Sequence, residues 1–399
     1  MDKVGILGAG LQGCCMALLF NKLGYDVTLI DQATDIMTRA SANQEGKIHM
    51  GFVYSNDTSF ETGKKMMLSA LHFSHCIEYL LDYKINWGEL KSTKFIYLVP
   101  HDSLVSNDKL EEYFNKLQDL YIKILTDEPY LSYLGEKPEK IFHKIPVPND
   151  VDNTFFKYCF QTEEVAISQN VLKDHIKNTL ISKGVKLNLN ECILNVNRSS
   201  NIRFNVKTNK NIYQYEKVVN CLWENQRIID QQLNVESKNE NNLRLKFGII
   251  SKHIDELKTM PSMTIVNGPY GDYVNFQCHK DKKMYFSWYP ISMYGMVVNQ
   301  DVPNEWTMIC KGDINNDLLE YQLKTQLNKF QQLFSRQFKF DSPKLIAGII
   351  VATGKEDINY LESKLHQRND NPIFYQDGYY SISTGKFTSA PYNTYLLIH

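Results

Sequence analysis

The first residues whose types and spacing indicate chemistry form a glycine-rich turn, Gly8-Ala9-Gly10-Leu11-Gln12-Gly13. An apolar run over residues 3–7 predicts a buried strand before the turn, and helical spacing over residues 11–23 predicts a helix after it. Gly8 permits the sharp turn, Gly10 lets the backbone approach a pyrophosphate, and Gly13 lets the helix close on the strand. Because the first helical amides face the phosphates, the turn predicts a dinucleotide site that includes Leu11 and Gln12.

A carboxylate follows at the position that this kind of site requires. Asp31 comes directly after a second predicted strand over residues 26–30, with Gln32 beside it. A carboxylate there accepts hydrogen bonds from both ribose hydroxyls. The alternative is a glycine-rich turn without a ligand, and the strand–turn–helix–strand order argues against it. Proteins that bind NAD and proteins that bind FAD use the same turn, so the evidence that distinguishes the two cofactors must come from later residues.

A polar loop follows, Ser41-Ala42-Asn43-Gln44-Glu45-Gly46-Lys47-Ile48-His49-Met50-Gly51. Ser41 and Asn43 offer short polar contacts, and Gly46 allows backbone amides to reach an anionic group. The stretch is similar to the second flavin loop of the D-amino-acid oxidase and glycerol-3-phosphate dehydrogenase superfamily. That resemblance implies FAD as the cofactor. It also implies flavin or pyrophosphate contacts by these residues: Ser41, Asn43, Gln44, Gly46, Lys47, Ile48 and His49. Without the resemblance, the stretch is only a polar loop.

The end of the chain resembles the same superfamily at Tyr380-Ser381-Ile382-Ser383-Thr384-Gly385-Lys386-Phe387-Thr388. There a strand returns to a helix beside the flavin. The resemblance implies that Gly385, Lys386, Phe387 and Thr388 lie against the N1–C2=O edge of the ring, where a helix N-terminus stabilises the charge of reduced flavin. A phosphate-binding loop at Gly354-Lys355 is the alternative use of a Gly-Lys pair, and its spacing does not fit.

The middle of the chain matches the superfamily less closely. The family has a strand that ends in Ala-small-Gly before a Trp, and this chain has Cys221 for the Ala and Leu222 or Trp223 for the Gly. The match implies that Cys221 and Leu222 lie near the cofactor, and that the Ile193 backbone holds adenine. The segments 352–358 and 366–368 also resemble a subgroup found among surface-polysaccharide biosynthesis enzymes.

Flavin enzymes need polar groups that aim a substrate C–H bond at the ring, and sometimes a base. His49 is the first catalytic candidate, as a base, a substrate donor or a covalent tether, and a structural histidine is the alternative. Arg244 and Tyr289 are the next candidates, because an Arg fork matches a carboxylate or phosphate. In amino-acid-oxidising relatives an Arg and a Tyr from the antiparallel layer hold the substrate carboxylate. A surface Arg and core aromatics are the alternatives here. Tyr273 and Arg368 are further candidates.

Composition limits the partners and the compartment. The 44 Lys and Arg balance the 45 Asp and Glu, which argues against nucleic acid and anionic membranes as partners. No secretory signal and no apolar run long enough to span a bilayer is found. The eight Cys contain no Cys-x-x-Cys pair and His and Cys never reach metal-ligand spacing, so we predict reduced thiols, a cytoplasmic protein and no metal. The oligomeric state stays open.

The order of predicted elements indicates an α/β fold with a Rossmann-like FAD-binding domain and an antiparallel-sheet substrate domain. We assign residues 1–80, 150–235 and 340–399 to the first domain, and residues 81–149 and 236–339 to the second. The predicted function is an FAD-dependent oxidoreductase that takes hydride from a C–N or C–OH bond of an amino acid, amine or sugar derivative. The alternatives are a flavin-dependent sugar mutase without net redox, an NAD-dependent dehydrogenase, and a non-catalytic flavin-binding protein.

Overall fold

The fold is described from a computed structural model. It describes residues 1–199, 203–235, 241–252, 254–268, 270–278, 281–334, 340–355 and 372–398. The side chains of residues 241 and 256 are also outside the description. Arg368, and most of the two segments that resemble the polysaccharide-associated subgroup, lie outside the described residues.

Within the described residues, the first sheet has six strands, one of which leads into the glycine-rich turn. Its members are β1 (Lys3–Leu7), β2 (Asp26–Ile30), β6 (Lys186–Asn188), β10 (Lys217–Asn220), β17 (Ile373–Gln376) and β18 (Tyr379–Ile382). They lie in the order β17-β18-β10-β1-β2-β6, and every pair is parallel except β17 with β18. A parallel sheet is covered on its faces, and β1 is accordingly buried from Val4 to Leu7.

Four helices pack near this sheet, and one of them is almost wholly buried. They are α1 (Leu11–Lys22), α2 (Glu61–Leu81), α4 (Gln169–Ser182) and α9 (Ser389–Tyr395). Every residue of α1 from Leu11 to Phe20 is buried, because α2, α4 and α9 contact it on the sides that β1 and β2 leave open. The apolar run Cys14-Cys15-Met16-Ala17-Leu18-Leu19-Phe20 suits this position, since a helix with apolar residues all round must be enclosed.

The second sheet is larger and mostly antiparallel. Its nine strands are β3 (Phe95–Pro100), β4 (Phe142–Ile145), β5 (Phe156–Thr162), β11 (Asn241–Lys252), β12 (Ser262–Ile265), β13 (Gly271–Phe276), β14 (Lys283–Trp288), β15 (Met293–Val298) and β16 (Asp341–Thr353). Eight of them follow the order β15-β11-β14-β13-β12-β3-β5-β4, and β16 also pairs with β11. Among the strand pairs in the described part of the chain, only β3 with β12 is parallel.

The remaining elements surround these two sheets. The helices are α3 (Asn107–Asp127), α5 (Gln226–Gln232), α6 (Tyr289–Ser292), α7 (Asn304–Cys310) and α8 (Asn316–Gln332). A small sheet is formed by β7 (Ile193–Ser199), β8 (Arg203–Thr208) and β9 (Ile212–Tyr215). Within the described residues, no helix has both the length and the apolar character that crossing a bilayer requires.

The predicted fold class is confirmed: segments distant in sequence form one parallel sheet, and a second sheet is antiparallel. Two strands differ in sheet membership from the predicted boundaries. β5 pairs with β3 and β4, and β16 pairs along nearly its whole length with β11, so both belong to the second sheet. The predicted boundaries assign residues 150–235 and 340–399 to the FAD-binding domain. The division into two domains stays a prediction.

Candidate active site

A cavity of about 720 Å³ lies between the carboxyl ends of the first sheet and the face of the second. At the glycine-rich end of the cavity, β1 lies between β2 and β10. The chain that leaves β1 runs to β2 on one side, so the strand order reverses at β1. Open α/β sheets bind ligands at such a point, because the diverging connections leave a crevice. The cavity extends from Gly8 and Asp31 to Arg244 and Tyr289. We call these two regions the nucleotide end and the substrate end.

Most of the residues predicted from the sequence line this one cavity. They are Gly8, Gly10, Leu11, Gln12, Asp31, Gln32, Ser41, Asn43, Gln44, Lys47, His49, Ile193, Cys221, Leu222, Arg244, Tyr289, Gly385, Lys386 and Phe387. Gly13, Gly46, Ile48 and Thr388 are absent from the lining and lie behind it. The structure therefore brings together segments from both ends of the chain.

The glycine-rich turn is required first by the protein's own packing. Gly8 has a φ of +95°, and a Cβ there would lie 2.7 Å from the Cys221 carbonyl oxygen. A Cβ on Gly13 would lie 1.8 Å from the Gly8 carbonyl oxygen, so only glycine allows α1 to meet the turn. Gly10 differs, because its nearest neighbour would be Ser41 Oγ at 3.3 Å. Gly10 is therefore less crowded than Gly8 and Gly13, and it lines the cavity.

Two side chains hold the turn and leave groups facing the cavity. The Leu11 amide, at the start of α1, donates to Ser41 Oγ at 3.0 Å. Asp31 accepts from the Ala9 amide at 2.6 Å and from the Ala33 amide at 2.8 Å, one bond to each carboxylate oxygen. Each oxygen has a further lone pair, so Asp31 can still accept bonds from ribose hydroxyls.

The nucleotide end also contains an ion pair that the sequence did not indicate. Arg39 Nη2 lies 2.8 Å from Glu224 Oε1, and both side chains are largely buried. Burial raises the pKa of Glu224, and Arg39 opposes that rise. Both residues lie in polar stretches between predicted elements, where the sequence gives no sign that they meet.

Trp223 is one of the two residues, with Leu222, that can take the place of the glycine in the superfamily pattern. Its φ of +54° is in the left-handed region that glycine favours. The indole Nε1 donates to the Ile349 carbonyl oxygen at 2.8 Å, which ties this turn to β16. The sequence departs from the family here, but the backbone conformation is still of the glycine type.

The structure shows the contacts that Gly46 and Thr388 make within the protein. The Gly46 amide donates to Gln44 Oε1 at 2.8 Å, so it is not directed at an anion. Gly46 is needed because its φ is +75° and a Cβ would meet the Ile167 carbonyl oxygen at 2.6 Å. Thr388 Oγ1 accepts from the His49 amide at 3.0 Å and donates to the Lys47 carbonyl at 3.2 Å. Its hydroxyl connects the C-terminal segment over residues 380–388 to the polar loop.

A buried lysine connects that loop to the second sheet. Lys47 is 2% exposed, and its Nζ donates to Asp272 Oδ1 at 2.7 Å and to Thr264 Oγ1. The ammonium lies 4.1 Å from the centre of the Phe95 ring. Burial would raise the pKa of Asp272, but Lys47 outweighs burial and the pKa is lowered. Asp272 is therefore an ionised carboxylate in the cavity wall.

His49 and Glu45 form a second charged group at the substrate end. His49 Nε2 lies 3.7 Å from Glu45 Oε1. Burial lowers the pKa of His49, Glu45 opposes this, and Lys386 adds to the lowering. Burial would raise the pKa of Glu45, but His49, Lys246 and Lys386 together hold it well below its usual range. At neutral pH the pair is a neutral imidazole beside a carboxylate.

The other ring nitrogen of His49 makes no hydrogen bond within the described residues. His49 Nδ1 is buried and has no hydrogen-bond partner in the part of the chain that the structure describes. With Nε2 facing Glu45, the favoured tautomer carries its proton on Nε2 and leaves a lone pair on Nδ1. Its catalytic role as a base stays a prediction.

Arg244 is buried, so the alternative of a surface arginine is wrong. It is 1% exposed, its Nη1 donates to Tyr289 OH at 3.1 Å, and its Nε donates to Asn242 Oδ1 at 3.1 Å. Lys246, two residues further along β11, also lines the cavity. Tyr273 lies instead in a separate hydrophobic cluster, 5.1 Å from the Phe330 ring, and is a core residue.

The substrate end also contains residues that the sequence did not single out. They are Glu45, Lys246, Asp272 and Tyr285. Burial raises the pKa of Tyr285 to about 12. Each residue occupies an ordinary loop or strand position, and only the packing of the second sheet against the polar loop brings them together. In the described residues, no three His, Cys, Asp or Glu side chains gather as metal ligands.

Solved structures share the whole architecture at low sequence identity. Glycine oxidase from Geobacillus kaustophilus has a TM-score of 0.65 and 12% identity, over 100% of this chain and 94% of that one. L-alpha-glycerophosphate oxidase from Mycoplasma pneumoniae, solved with FAD bound, has a TM-score of 0.62 and 14% identity over 100% and 94%. The chain has the fold of the D-amino-acid oxidase and glycerol-3-phosphate dehydrogenase superfamily. The predicted fold resemblance is therefore confirmed.

Other structures with this superfamily fold include L-proline dehydrogenase from P. horikoshii, with a TM-score of 0.60 and 14% identity over 98% of this chain and 91% of that one. Among curated proteins, the FAD-dependent monooxygenase FPY4 of Fusarium mangiferae is 38% identical over 53 residues. That match covers 13% of this chain and only 14% of the monooxygenase. No protein family model matches the chain.

Proposed function

We propose that this protein binds FAD and oxidises a C–N or C–OH bond of a small polar substrate that carries an anionic group. One observation carries the proposal: a single cavity joins the N-terminus of α1 to the Arg244–Tyr289 pair, and the Gly385–Phe387 return lines it. A dinucleotide with a redox ring at one end fits a cavity with these two ends.

The nucleotide end fits the phosphates and the ribose of FAD. Gly10 and the N-terminus of α1 line the cavity and suit the pyrophosphate, because a helix N-terminus favours negative charge. Asp31 would accept from the ribose hydroxyls, and the Ile193 backbone would hold adenine. Gly385, Lys386 and Phe387 would lie at the edge of the flavin ring, which accepts hydride from substrate when FAD is bound.

The substrate end contains the groups that such a reaction needs from the protein. Arg244 and the hydroxyl of Tyr289 would bind and orient the anionic group of the substrate, because their polar atoms meet at one side of the cavity. His49 would receive the proton that leaves the substrate amine or hydroxyl, at Nδ1.

The comparisons support this proposal through the fold. The similar structures include an oxidase of glycine, an oxidase of L-alpha-glycerophosphate and a dehydrogenase of L-proline. The glycerophosphate oxidase among them was solved with FAD bound. The substrates of those proteins are small molecules with a carboxylate or phosphate, which is the chemistry that an arginine fork recognises.

The proposal is tested with the purified protein. We expect a flavin spectrum, release of FAD on denaturation, and loss of the flavin colour when a substrate is added without oxygen. The panel would contain amino acids, amines, hydroxy acids, sugars and glycerol phosphate. Absence of bound flavin, both as purified and after incubation with FAD, would overturn the proposal. Product formed only after chemical reduction, with no net oxidation, would identify a mutase instead.

A further inference from the structure

We propose that the substrate carries two negative charges, and that Lys246 binds the second while Arg244 binds the first. This inference rests on the proposed function, because it takes the substrate to lie between the polar loop and β11. It assigns a specificity-determining role to Lys246 and narrows the substrates to small dianions.

The position of Lys246 supports this role. Side chains two residues apart on a strand point to the same face, so Lys246 and Arg244 both extend from β11 toward the cavity. Arg244 already has Tyr289 and Asn242 as hydrogen-bond partners. The side chain of Lys246, which is partly buried, has no hydrogen bond and no ion pair within the described residues. A second buried lysine, Lys47, is paired with Asp272.

Lys246 remains charged in this position. Burial alone would lower its pKa, but Tyr285, Glu45 and Asp272 outweigh burial and raise it. None of these three is close enough to form an ion pair with the ammonium. The lysine is therefore a cation that its neighbours stabilise from a distance, with its hydrogen-bonding capacity unused.

The pairing of charges in the cavity points to the same ligand. Lys47 is paired with Asp272 and Arg39 with Glu224, whereas the Lys246 ammonium has no ion-pair partner within the described residues. In a site of low dielectric, an unpaired cation favours an anionic ligand. A monoanion bound to Arg244 would leave Lys246 without a partner.

Two kinds of ligand share the required chemistry. A phosphate monoester presents two charges on one group, and a dicarboxylate presents one charge on each of two groups. A lysine ammonium is a compact point charge with rotatable donors, so it accepts either. The test therefore uses one pair of probes for each kind of ligand.

The test measures binding by calorimetry on the purified, flavin-loaded protein, so it does not depend on turnover. One probe pair is succinate and its monoanionic monoamide, succinamate. The other pair is glycerol 3-phosphate and its monoanionic methyl diester. We expect the dianion of at least one pair to bind about tenfold or more tightly than its monoanionic partner.

Three variants show whether Lys246 is responsible. Lys246→Gln should remove the preference for the dianion and change the affinity for the monoanion by less than about threefold, and Lys246→Arg should retain the preference. Lys252→Gln is the matched control, since Lys252 lies on the same strand with its side chain 70% exposed, and it should bind as the unaltered protein does.

Two results would overturn the inference. One is equal binding of dianion and monoanion in both pairs by the unaltered protein. The other is a Lys246→Gln variant that weakens both members of a pair by the same factor. The flavin content of the same samples keeps the proposals separate: bound FAD without a dianion preference overturns only this inference, whereas absence of FAD overturns the proposed function.

Discussion

The two ends of the cavity differ in the groups that form them. The nucleotide end consists of backbone: a turn whose glycines allow atoms to approach within a few ångströms, and the amides at the start of α1. The substrate end consists of charged side chains, with Lys47, Asp272 and Glu45 in a buried network. The first end should therefore be intolerant of added atoms, and the second intolerant of altered charge. Each prediction below tests one side of this difference.

The largest effect is expected from an added side chain in the turn. Gly13→Val would place Cβ at 1.8 Å from the Gly8 carbonyl oxygen, so α1 must move away from β1. We expect little folded protein and no bound flavin, measured by melting temperature and absorbance. Gly88→Ala is the control, because its Cβ would meet only Asn86 Oδ1 at 3.4 Å. A Gly13→Val variant with normal melting and flavin content would refute the role of the turn.

The next effect is the loss of a charge at the substrate end. Arg244→Met keeps the volume of this buried side chain but removes its charge, leaving Tyr289 and Asn242 without their donor. We expect kcat/KM to fall by a factor equivalent to about 2–5 kcal/mol, with FAD still bound. Arg203→Met, whose side chain is 58% exposed on β8, should change neither property. Unchanged kcat/KM for Arg244→Met would show that the substrate lies elsewhere.

A moderate effect is expected when the nucleotide end loses its carboxylate. Asp31→Ala removes the proposed ribose ligand and two bonds to backbone amides. We expect FAD binding to weaken by about 1.5–3 kcal/mol, measured by titration of the cofactor-free protein. Asp26→Ala lies at the opposite end of β2, where Asp26 pairs with Lys186, and should leave the affinity unchanged. An unaltered FAD affinity in Asp31→Ala would exclude Asp31 as a ligand.

The smallest effect is a displacement of the pH profile. If His49 is the base, kcat/KM falls as the pH drops through its pKa, because the protonated ring cannot accept a proton. Burial places that pKa below its ordinary value, and Glu45 opposes the lowering. Glu45→Gln removes this opposition, so the pKa falls further and the acidic limb moves to lower pH. An acidic limb that stays in place or moves to higher pH would contradict the pairing of Glu45 with His49.

The nucleotide end could be predicted from the sequence because its backbone conformation and close contacts require particular residue types. Only glycine fits at Gly8 and Gly13, and a carboxylate after a buried strand is readable at Asp31. The same reasoning found the C-terminal return, since Gly385 has a φ of +77° before α9. It assigned Gly46 to anion binding, whereas packing against Ile167 explains that glycine.

The substrate end was predicted only in part, because its members come from elements that meet only in the folded chain. His49, Arg244 and Tyr289 were found through residue type and resemblance. Glu45 and Lys246 were missed, since charged residues in loops and strands are normally solvated and no local spacing marks these two. The sheet membership of β16 was also missed, because a strand's partner depends on long-range pairing.

The central claim is that one ligand, FAD, joins the two ends of the cavity. It is tested most directly by titrating the cofactor-free protein with FAD, FMN, ADP and NAD under one set of conditions. We predict that FAD binds more tightly than FMN or ADP, since each of those fills only one end, and that NAD binds more weakly than FAD. FMN binding as tightly as FAD, or NAD binding more tightly, would contradict the claim.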